Sequence, residues 1–315
     1  VGLSAERLKR LSDRMRQGVK DGETPGAVVL IARNGKVAYF ESFGLRDPET
    51  KAEMKGDAIF RIASMTKPIV SVAIMMLAEE GKLSIAHPVS RYLPEFKDLK
   101  VGVVKKKDDG TSEVVLEPPR REMTIQDLLR HTSGLTYGAA GPNPLKQAYV
   151  DAKVMDRDQT NAEMVTKLSK LALVYHPGST WEYSVSTDVL GAIVEVVSKM
   201  PLDKFIAERI AKPLKLVDTG FSVEAAKAGR GARPHKEGPK NELPNVPKVT
   251  DDFKWKSGGG GMVSTASDYA RFCQFLLNGG TLDGVRLLSR KTVELMTSDH
   301  LSPTVAMGAD MWRFE

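Results

Sequence analysis

The stretch that decides the fold of this chain is Ser64-Met65-Thr66-Lys67, which opens the run Pro68-Ile69-Val70-Ser71-Val72-Ala73-Ile74-Met75-Met76-Leu77-Ala78-Glu79-Glu80-Gly81. A helix with this sequence has apolar residues nearly all round it, which is typical of a helix buried inside a protein. Gly81 provides a C-terminal stop, and Pro68 falls in the first turn, where a helix tolerates proline. We therefore predict a buried helix that carries Ser64 and Lys67 at its start.

Ser64 and Lys67 are three residues apart, so they lie on one face of the predicted helix, one turn from each other. Desolvation lowers the pKa of a lysine, and a neutral amine beside a hydroxyl can activate that hydroxyl as a nucleophile. This Ser-x-x-Lys is the only one in the chain. The alternative interpretation is an N-cap serine with a lysine that extends into solvent from the first turn. The residues alone leave both interpretations open.

The composition is that of an ordinary globular protein. The chain has 315 residues, of which 41% are hydrophobic and 27% are charged, and this length allows one large domain or two. No apolar run reaches the length that spans a membrane, so we expect no membrane partner. The net charge of +6 is small, and we interpret Lys105-Lys106-Lys107 before Asp108-Asp109-Gly110 as a solvated turn rather than a nucleic-acid site.

Cysteine and histidine give no sign of a metal or a disulfide. Cys273 is the only cysteine, which excludes an internal disulfide and suits a cytoplasmic protein. Its apolar neighbours in the sequence predict a buried small residue rather than a reactive thiol. The five histidines, at positions 87, 131, 176, 235 and 300, show no ligand spacing. We therefore predict neither a metal nor another cofactor.

Hydrophobic periodicity and turn residues predict the other elements. Helices are expected over 4–20, 124–131, 161–173, 187–199, 202–211 and 266–277. Strands over 27–32 and 36–41 are joined by Asn34-Gly35, a strong hairpin signal. Pro118-Pro119, Pro142-Asn143-Pro144 and 234–247 are interpreted as connectors. A hairpin alone is marginally stable, so its partners are expected either as short strands near 261–264 and 285–288 or after position 315.

A hydroxyl nucleophile needs a base, and Tyr183 is the candidate that would relay the proton between Ser64 and Lys67. Tyr183 lies in Trp181-Glu182-Tyr183-Ser184-Val185-Ser186-Thr187-Asp188-Val189-Leu190-Gly191, just before a helix that Ser186 or Thr187 can cap. The alternative is a packed tyrosine whose hydroxyl bonds to the backbone.

With these segments in view, the chain resembles the serine β-lactamase and penicillin-binding-protein superfamily, and within it the family VIII carboxylesterases. The segments that carry the resemblance keep the family's order along the chain and are Phe60-Arg61-Ile62-Ala63-Ser64-Met65-Thr66-Lys67, Leu128-Leu129-Arg130-His131-Thr132-Ser133-Gly134-Leu135, Pro177-Gly178 through Gly191, Pro213-Leu214-Lys215-Leu216 with Asp218-Thr219, and Gly258 through Asp268. The resemblance implies an α+β fold, with an antiparallel sheet flanked by helices, an all-helical lobe and the active site between them. It also implies that Ser64, Lys67 and Tyr183 are the catalytic residues.

Two departures from the family pattern bear on function. The lactamase Tyr-x-Asn element is Tyr183-Ser184-Val185 here, so the amide that holds a β-lactam side chain is missing and the esterases are the closer resemblance. The family's third element, a Lys-Thr-Gly-like box on a strand, is expected after position 315, although Lys256-Ser257-Gly258 imitates it. We expect roughly 60–80 further residues there, forming three strands and a helix. They would supply one oxyanion-hole N–H, the other coming from Ser64.

Two further residues near the matched segments receive structural interpretations. His131 is a possible base for Ser64, but within the matched Thr-Ser-Gly-Leu segment we interpret it as the organiser of a turn. Asp188 is interpreted as a helix-start acid rather than as the acid of a triad. The chain has no Gly-x-Ser-x-Gly, which argues against an α/β-hydrolase elbow.

The resemblance implies a serine hydrolase that works through an acyl-enzyme, a carboxylesterase acting on small-molecule short-acyl esters, with weak β-lactam hydrolysis as a side activity. A β-lactamase or D-alanyl peptidase, an amide hydrolase or acyltransferase, and a non-catalytic binding protein with the same fold remain open as well. Residues 1–60 and 250–315 are expected to form the sheet region, and residues 61–249 the mainly helical region.

Overall fold

The chain contains both helices and strands in a computed structural model that describes residues 2–108, 110, 112–139, 141–235 and 246–308. The helices are α1 (Ala5–Lys20), α2 (Thr66–Glu79), α3 (Ile125–Leu129), α4 (Pro144–Asp151), α5 (Asn161–Leu168), α6 (Ser186–Ser198), α7 (Leu202–Ile206), α8 (Ala266–Leu277) and α9 (Arg290–Met296). The strands are β1 (Gly26–Arg33), β2 (Lys36–Asp47), β3 (Ala52–Glu53), β4 (Phe60–Arg61), β5 (Val101–Lys106), β6 (Ser112–Glu117), β7 (Thr180–Trp181), β8 (Val263–Ser264), β9 (Thr281–Leu282), β10 (Val285–Arg286) and β11 (Ala306–Met307). The predicted α+β class is confirmed.

The chain folds into two compact units. The first unit consists of residues 1–63, 207–252 and 262–293 and contains α1, α8 and the strands β1–β4 and β8–β10. The second unit consists of residues 64–206, 253–261 and 294–315 and contains α2–α7 with strands β5–β7 and β11. Within the described part of the chain, none of the helices combines the length and apolar character that crossing a membrane requires.

Helix α2 lies in the core of the second unit, where it packs against α6 and α7. Its completely buried side chains point in several directions around the helix axis, which confirms the predicted buried helix, and they are Ile69, Val70, Val72, Ala73, Ile74 and Leu77. Gly81, just beyond the helix, adopts a left-handed φ of 69°, which suits glycine and ends the helix.

The predicted N-terminal hairpin is confirmed in the first unit. Strands β1 and β2 pair antiparallel from Gly26↔Gly44 to Arg33↔Lys36, and β2 also pairs with β3. Asn34 and Gly35 both have positive φ values, 52° and 72°, as the tight turn between twisted strands requires. The short strands expected near 261–264 and 285–288 exist as β8 and β10. They pair with β4 and β9, so the expectation that they complete the hairpin was wrong.

One predicted connector was wrong because it contains the start of a helix. Pro144 is the first residue of α4, and the side chain of Asn143 accepts hydrogen bonds from the N–H groups of Leu145 and Lys146. Proline suits this position because the first N–H of a helix has no intrahelical partner. The connector interpretation of 234–247 falls largely on residues outside the described ranges.

The hairpin of β5 and β6 was also not predicted. Lys105 and Lys106 are the last residues of β5 rather than turn residues, so that part of the turn prediction was wrong. Both side chains are exposed, as expected of a solvated segment, and Asp109 lies outside the described residues.

Cys273 is exposed on α8, so its predicted burial was wrong. The reason is the amphipathic character of α8, which buries Phe272 and Phe275 and leaves the face of Cys273 toward solvent. The partial burial that remains raises the pKa of the Cys273 thiol, which keeps the thiolate fraction low.

The core role of α2 predicts a large difference between two identical substitutions in the second unit. Val72 is completely buried on α2, whereas Val196 on α6 is 49% exposed. Val72→Ala should lower the free energy of unfolding by about 2 kcal/mol, from two buried methyl groups and the cavity they leave. Val196→Ala should change it by no more than about 0.5 kcal/mol. Urea unfolding of both variants measures this, and equal losses would contradict the buried helix.

Candidate active site

Ser64 lies in a 3₁₀ turn, Ala63–Met65, that leads directly into α2. Ala63 has a φ of 42°, in the left-handed region that residues other than glycine seldom adopt. Strained residues of this kind cost about 1–3 kcal/mol and cluster at functional sites. Met65, not Ser64, occupies the N-cap position of α2, which removes the alternative interpretation of Ser64 as a capping serine.

The structure brings Ser64, Lys67 and Tyr183 together within the second unit. The Tyr183 hydroxyl donates to Ser64 Oγ at 2.5 Å, and Lys67 Nζ donates to the same atom at 3.1 Å. Lys67 Nζ also donates to the carbonyl oxygen of Gly259 at 2.6 Å. Ser64 is exposed, whereas Lys67 and Tyr183 are half-buried. An accessible hydroxyl therefore receives hydrogen bonds from two partly desolvated side chains that can exchange protons with it.

Tyr183 is held between strand β7 and helix α6. The N-cap of α6 is Val185, which has no side chain that could accept a hydrogen bond, so the prediction that Ser186 or Thr187 caps this helix was wrong. The Ser186 hydroxyl instead contacts the hydroxyls of Ser133 and Ser184, each at 2.7 Å, in a buried group. These contacts fix the backbone on the C-terminal side of Tyr183.

His131 organises the turn beside Tyr183, as its position in the sequence predicts. Its backbone has a φ of 57°, its carbonyl oxygen accepts from the N–H of Glu182, and its Nδ1 faces Ser184 rather than Ser64. The imidazole ring lies 5.0 Å from the ring of Tyr183, centroid to centroid. Burial, together with the positive charge of Lys67, lowers the pKa of His131 to about 3. The ring therefore stays neutral near neutral pH.

Aromatic rings enclose Lys67, and one of them was missed in the sequence. Lys67 Nζ lies 4.5 Å from the ring centroid of Tyr183 and 5.6 Å from that of Tyr137, both within the range of cation–π attraction. The ring of Trp181 stacks on Tyr183 at 6.2 Å. Burial raises the pKa of the Tyr137 hydroxyl, so this group stays protonated. The only signal for Tyr137 was its place two residues after Leu135 in a matched segment.

Lys256-Ser257-Gly258 does not have the geometry of the family's third element. The segment lies in a loop that leads into a turn, not on a strand, and Lys256 Nζ donates to the carbonyl oxygen of Phe253. Ser257 Oγ donates to Asp188 Oδ1 at 2.5 Å. The same loop supplies the Gly259 carbonyl that binds Lys67, a partner that sequence reasoning missed because a backbone oxygen leaves no signature.

Asp188 lies in the first turn of α6, as predicted for a helix-start acid. It is completely buried, and this burial raises the pKa of its carboxyl group. Its Oδ1 accepts hydrogen bonds from Ser257 Oγ and from the N–H of Gly259.

Comparison with known proteins shows the family to which the chain belongs. Residues 11–314 match the family model described as Beta-lactamase, so the chain belongs to the beta-lactamase family. Protein Rv1367c of Mycobacterium tuberculosis is 37% identical over 300 residues, covering 92% of this chain and 73% of that protein. Esterase EstB of Burkholderia gladioli is 32% identical over 293 residues, covering 85% of this chain and 69% of EstB.

A solved structure has the same fold as this chain. EstCE1, described as a hydrolase with promiscuous acyltransferase activity, superimposes with a TM-score of 0.76 at 28% identity, over 95% of this chain and 79% of its own. Further relatives carry the names of an amidase, an acyltransferase and a D-alanyl-D-alanine carboxypeptidase. The chain is thus a member of a serine-hydrolase superfamily whose members act on several kinds of acyl compound.

The lowered pKa of His131 predicts a specific dependence of stability on pH. The unfolded chain takes up a proton near the ordinary value of 6.5, whereas the folded protein does so only near 3. Stability from the neutral ring is therefore complete above about pH 6.5 and is lost progressively as the pH falls toward about 3. His131→Asn, which keeps a hydrogen-bond acceptor but does not titrate, should lack this loss.

The measurement is the melting temperature of the wild-type protein and of the variant between about pH 7 and about pH 4. The wild type should be the more stable at neutral pH, and the gap should narrow as the pH falls. His300→Asn, away from Tyr183, serves as the control for a lost imidazole. A gap that stays constant with pH would show that His131 titrates normally in the folded protein.

Proposed function

We propose that this protein is a carboxylic-ester hydrolase that forms an acyl-enzyme on Ser64. The observation that carries the proposal is the convergence of the Tyr183 hydroxyl and Lys67 Nζ on Ser64 Oγ, at 2.5 and 3.1 Å. A serine hydroxyl is a weak nucleophile unless a neighbouring base takes its proton. Both neighbours lie within the distance at which proton transfer occurs.

Acylation follows from this geometry. Ser64 Oγ attacks the ester carbonyl carbon while its proton passes to the basic form of the Tyr183–Lys67 pair. The new carbon–oxygen bond converts the carbonyl into a tetrahedral oxyanion. The oxyanion then collapses, the bond to the alcohol breaks, and Tyr183 returns the proton to the leaving alkoxide. Lys67 Nζ lies 4.5 Å from the ring centroid of Tyr183 and 3.1 Å from Ser64 Oγ, so both members of the pair border the hydroxyl that loses its proton.

Deacylation uses the same residues in the reverse order. Water takes the place of the alcohol, gives its proton to the Tyr183–Lys67 pair and attacks the acyl carbon. The acid is released, and Ser64 Oγ regains its proton. We assign one donor to the oxyanion, the backbone N–H of Ser64, because this residue lies in the turn Ala63–Met65 that leads into α2.

An ester is preferred to a β-lactam because of Val185. In a lactamase the Tyr-x-Asn element places an amide that holds the side chain of the β-lactam. Val185 stands at that position here and is completely buried, with no polar atom in its side chain. A small acyl ester needs only the nucleophile, the proton relay and the oxyanion donors. The similarity to EstB, an esterase, supports the same preference.

Acyl transfer to an alcohol is the second candidate. The acyl-enzyme is common to both reactions, and only the acceptor differs, an alcohol in place of water. The observation in its favour is that EstCE1, a hydrolase with promiscuous acyltransferase activity, shares the fold and 28% of the residues. Kinetics with an ester, a penicillin and an acyclic peptide amide separate an esterase from a β-lactamase, a peptide or amide hydrolase, and a non-catalytic binding protein.

Removal of each proposed catalytic group should affect turnover of a short p-nitrophenyl ester. Ser64→Ala should abolish it, because the nucleophile is lost. Lys67→Met and Tyr183→Phe should each slow acylation by roughly 10²–10⁴-fold, the usual contribution of a general acid–base. The double variant should lose far less than the product of the two, because the groups act as one unit.

Tyr149→Phe is the matched control for the loss of a tyrosine hydroxyl. This hydroxyl is in the same unit but donates to the carbonyl oxygen of Ala172, away from Ser64. Its removal should lower the melting temperature and leave turnover unchanged. Full activity of Ser64→Ala would place the nucleophile elsewhere, and multiplying effects of the Lys67 and Tyr183 variants would show two separate proton paths.

The preference for esters makes a prediction about substrates. The kcat/KM for a short-acyl ester should exceed that for a penicillin by about 10²-fold or more, because the site lacks the amide that binds a β-lactam side chain. Parallel kinetics with p-nitrophenyl butyrate and benzylpenicillin measure the ratio. Similar values for the two compounds would favour a β-lactamase or a D-alanyl peptidase.

A further inference from the structure

A continuous set of hydrogen bonds connects the buried carboxyl group of Asp188 to the amine of Lys67. Asp188 Oδ1 accepts from the N–H of Gly259 at 3.0 Å and from Ser257 Oγ at 2.5 Å. The carbonyl oxygen of the same Gly259 accepts from Lys67 Nζ at 2.6 Å, and Lys67 Nζ reaches Ser64 Oγ at 3.1 Å. The backbone of Gly259 is therefore fixed by Asp188 on one side and fixes Lys67 on the other.

The loop that contains Gly259 forms a tight turn. The N–H groups of Gly260 and Gly261 both donate to the carbonyl oxygen of Ser257, at 3.4 and 2.9 Å, which forms a tight turn around Gly258 and Gly259. Asp188 attaches this turn to helix α6 through its hydrogen bonds with Ser257 Oγ and the N–H of Gly259. A turn without this attachment could keep its own shape and still move relative to Lys67.

Two glycines allow the loop to lie directly on the first turns of α6. A Cβ atom on Gly259 would lie 2.3 Å from Asp188 Oδ2, and one on Gly258 would lie 2.5 Å from the carbonyl oxygen of Thr187. Real Cβ atoms do not approach other atoms so closely, so a larger residue at Gly258 must move the loop away from the α6 backbone, and one at Gly259 must displace either the Asp188 carboxyl group or the loop. The position of the Gly259 carbonyl oxygen therefore depends on this close approach of the loop to α6.

Among the described residues, Asp188 forms no ion pair that would explain the burial of its carboxyl group. Its Oδ2 has no hydrogen-bond partner among the described residues, and burial raises the pKa of its carboxyl group. A buried carboxyl with one unpartnered oxygen is costly to the fold. Groups that destabilise a fold in this way are common where their position serves the site.

We propose that Asp188 is a positioning residue for the acylation step. By fixing the N–H of Gly259, it places the Gly259 carbonyl oxygen so that Lys67 Nζ is held on Ser64 Oγ. The inference rests on the proposed function of Ser64 and Lys67 and extends it to a carboxyl group that does not contact Ser64. The hydrogen bonds that Asp188 Oδ1 accepts provide this positioning, and the negative charge of the carboxylate is not required for it.

The first test compares Asp188→Ala with Asp188→Asn in single-turnover acylation by a p-nitrophenyl ester. Asp188→Ala should lower the acylation rate by about 10–100-fold, the cost of a small misplacement of a reacting group, with KM nearly unchanged. Asp188→Asn retains an oxygen that can accept from Gly259 and Ser257 and should stay within about threefold of the wild type, even if its melting temperature falls. Asn as slow as Ala would overturn the hydrogen-bond role.

The second test places Asp188→Ala in the Lys67→Met background. If Asp188 acts through Lys67, the second substitution should slow the residual reaction by less than about threefold, since its target is already absent. If the rate losses caused by Asp188→Ala and Lys67→Met multiply, the inference about Asp188 is wrong. The proposed function is not affected by that result. Full activity of Ser64→Ala or Lys67→Met would overturn the proposed function itself, so the two failures are distinguishable.

A third test combines Gly259→Ala with Asp188→Ala in a protein that retains Lys67. It therefore does not rely on the low residual activity of the Lys67→Met variant. Gly259→Ala should slow acylation, because its methyl group meets Asp188 Oδ2, and adding it to Asp188→Ala should cause little further loss because that oxygen is gone. Gly229→Ala, at a glycine with open space around its Cβ position, is the control and should be neutral. Independent effects of Gly259→Ala and Asp188→Ala would show that the loop does not rest on Asp188.

Discussion

The two hydrogen bonds that converge on Ser64 Oγ require the first turn of α2 to be immobile, and burial of α2 provides this. A reacting hydroxyl that moved by 1 Å would lose much of its rate, by about 10²-fold in comparable cases. Helix α2 cannot shift by that amount without opening cavities around Ile69, Val72 and Ile74, which are completely buried. The apolar residues that gave the helix its unusual pattern therefore also fix the nucleophile.

The opposite side of the site is fixed by buried polar groups rather than by apolar packing. Glu182, the neighbour of Tyr183, accepts from Lys146 Nζ at 2.6 Å and from the Thr136 hydroxyl at 3.0 Å. Lys146 and Glu182 are both buried, and removing one partner of such a pair costs about 3–5 kcal/mol because the other charge is left uncompensated. The neutral ring of His131 completes this support by accepting from the backbone N–H of Ser184.

Local sequence predicted the elements whose determinants are local. Helix α2 follows from an apolar run, the hairpin β1–β2 from Asn34-Gly35, and the pair Ser64/Lys67 from helical spacing. Residues brought together from distant positions had no such signal: Lys146 and Glu182 are 36 positions apart, and Lys67 and the Gly259 carbonyl are 192 apart. The predicted burial of Cys273 failed because apolar composition alone does not say which face of a helix meets solvent. Tyr183 was a candidate from the sequence, but only the resemblance to a family favoured its catalytic role over that of a packed tyrosine.

The central claim is that Ser64 is the nucleophile and that Tyr183 manages its proton. Intact-protein mass spectrometry after treatment with a p-nitrophenyl alkylphosphonate tests it most directly, because this reagent traps an activated serine without depending on the natural substrate. The wild type should gain the mass of one phosphonyl group, Ser64→Ala should gain none, and Tyr183→Phe should gain it roughly 10²-fold or more slowly. Equal labelling of the wild type and Ser64→Ala would contradict the account.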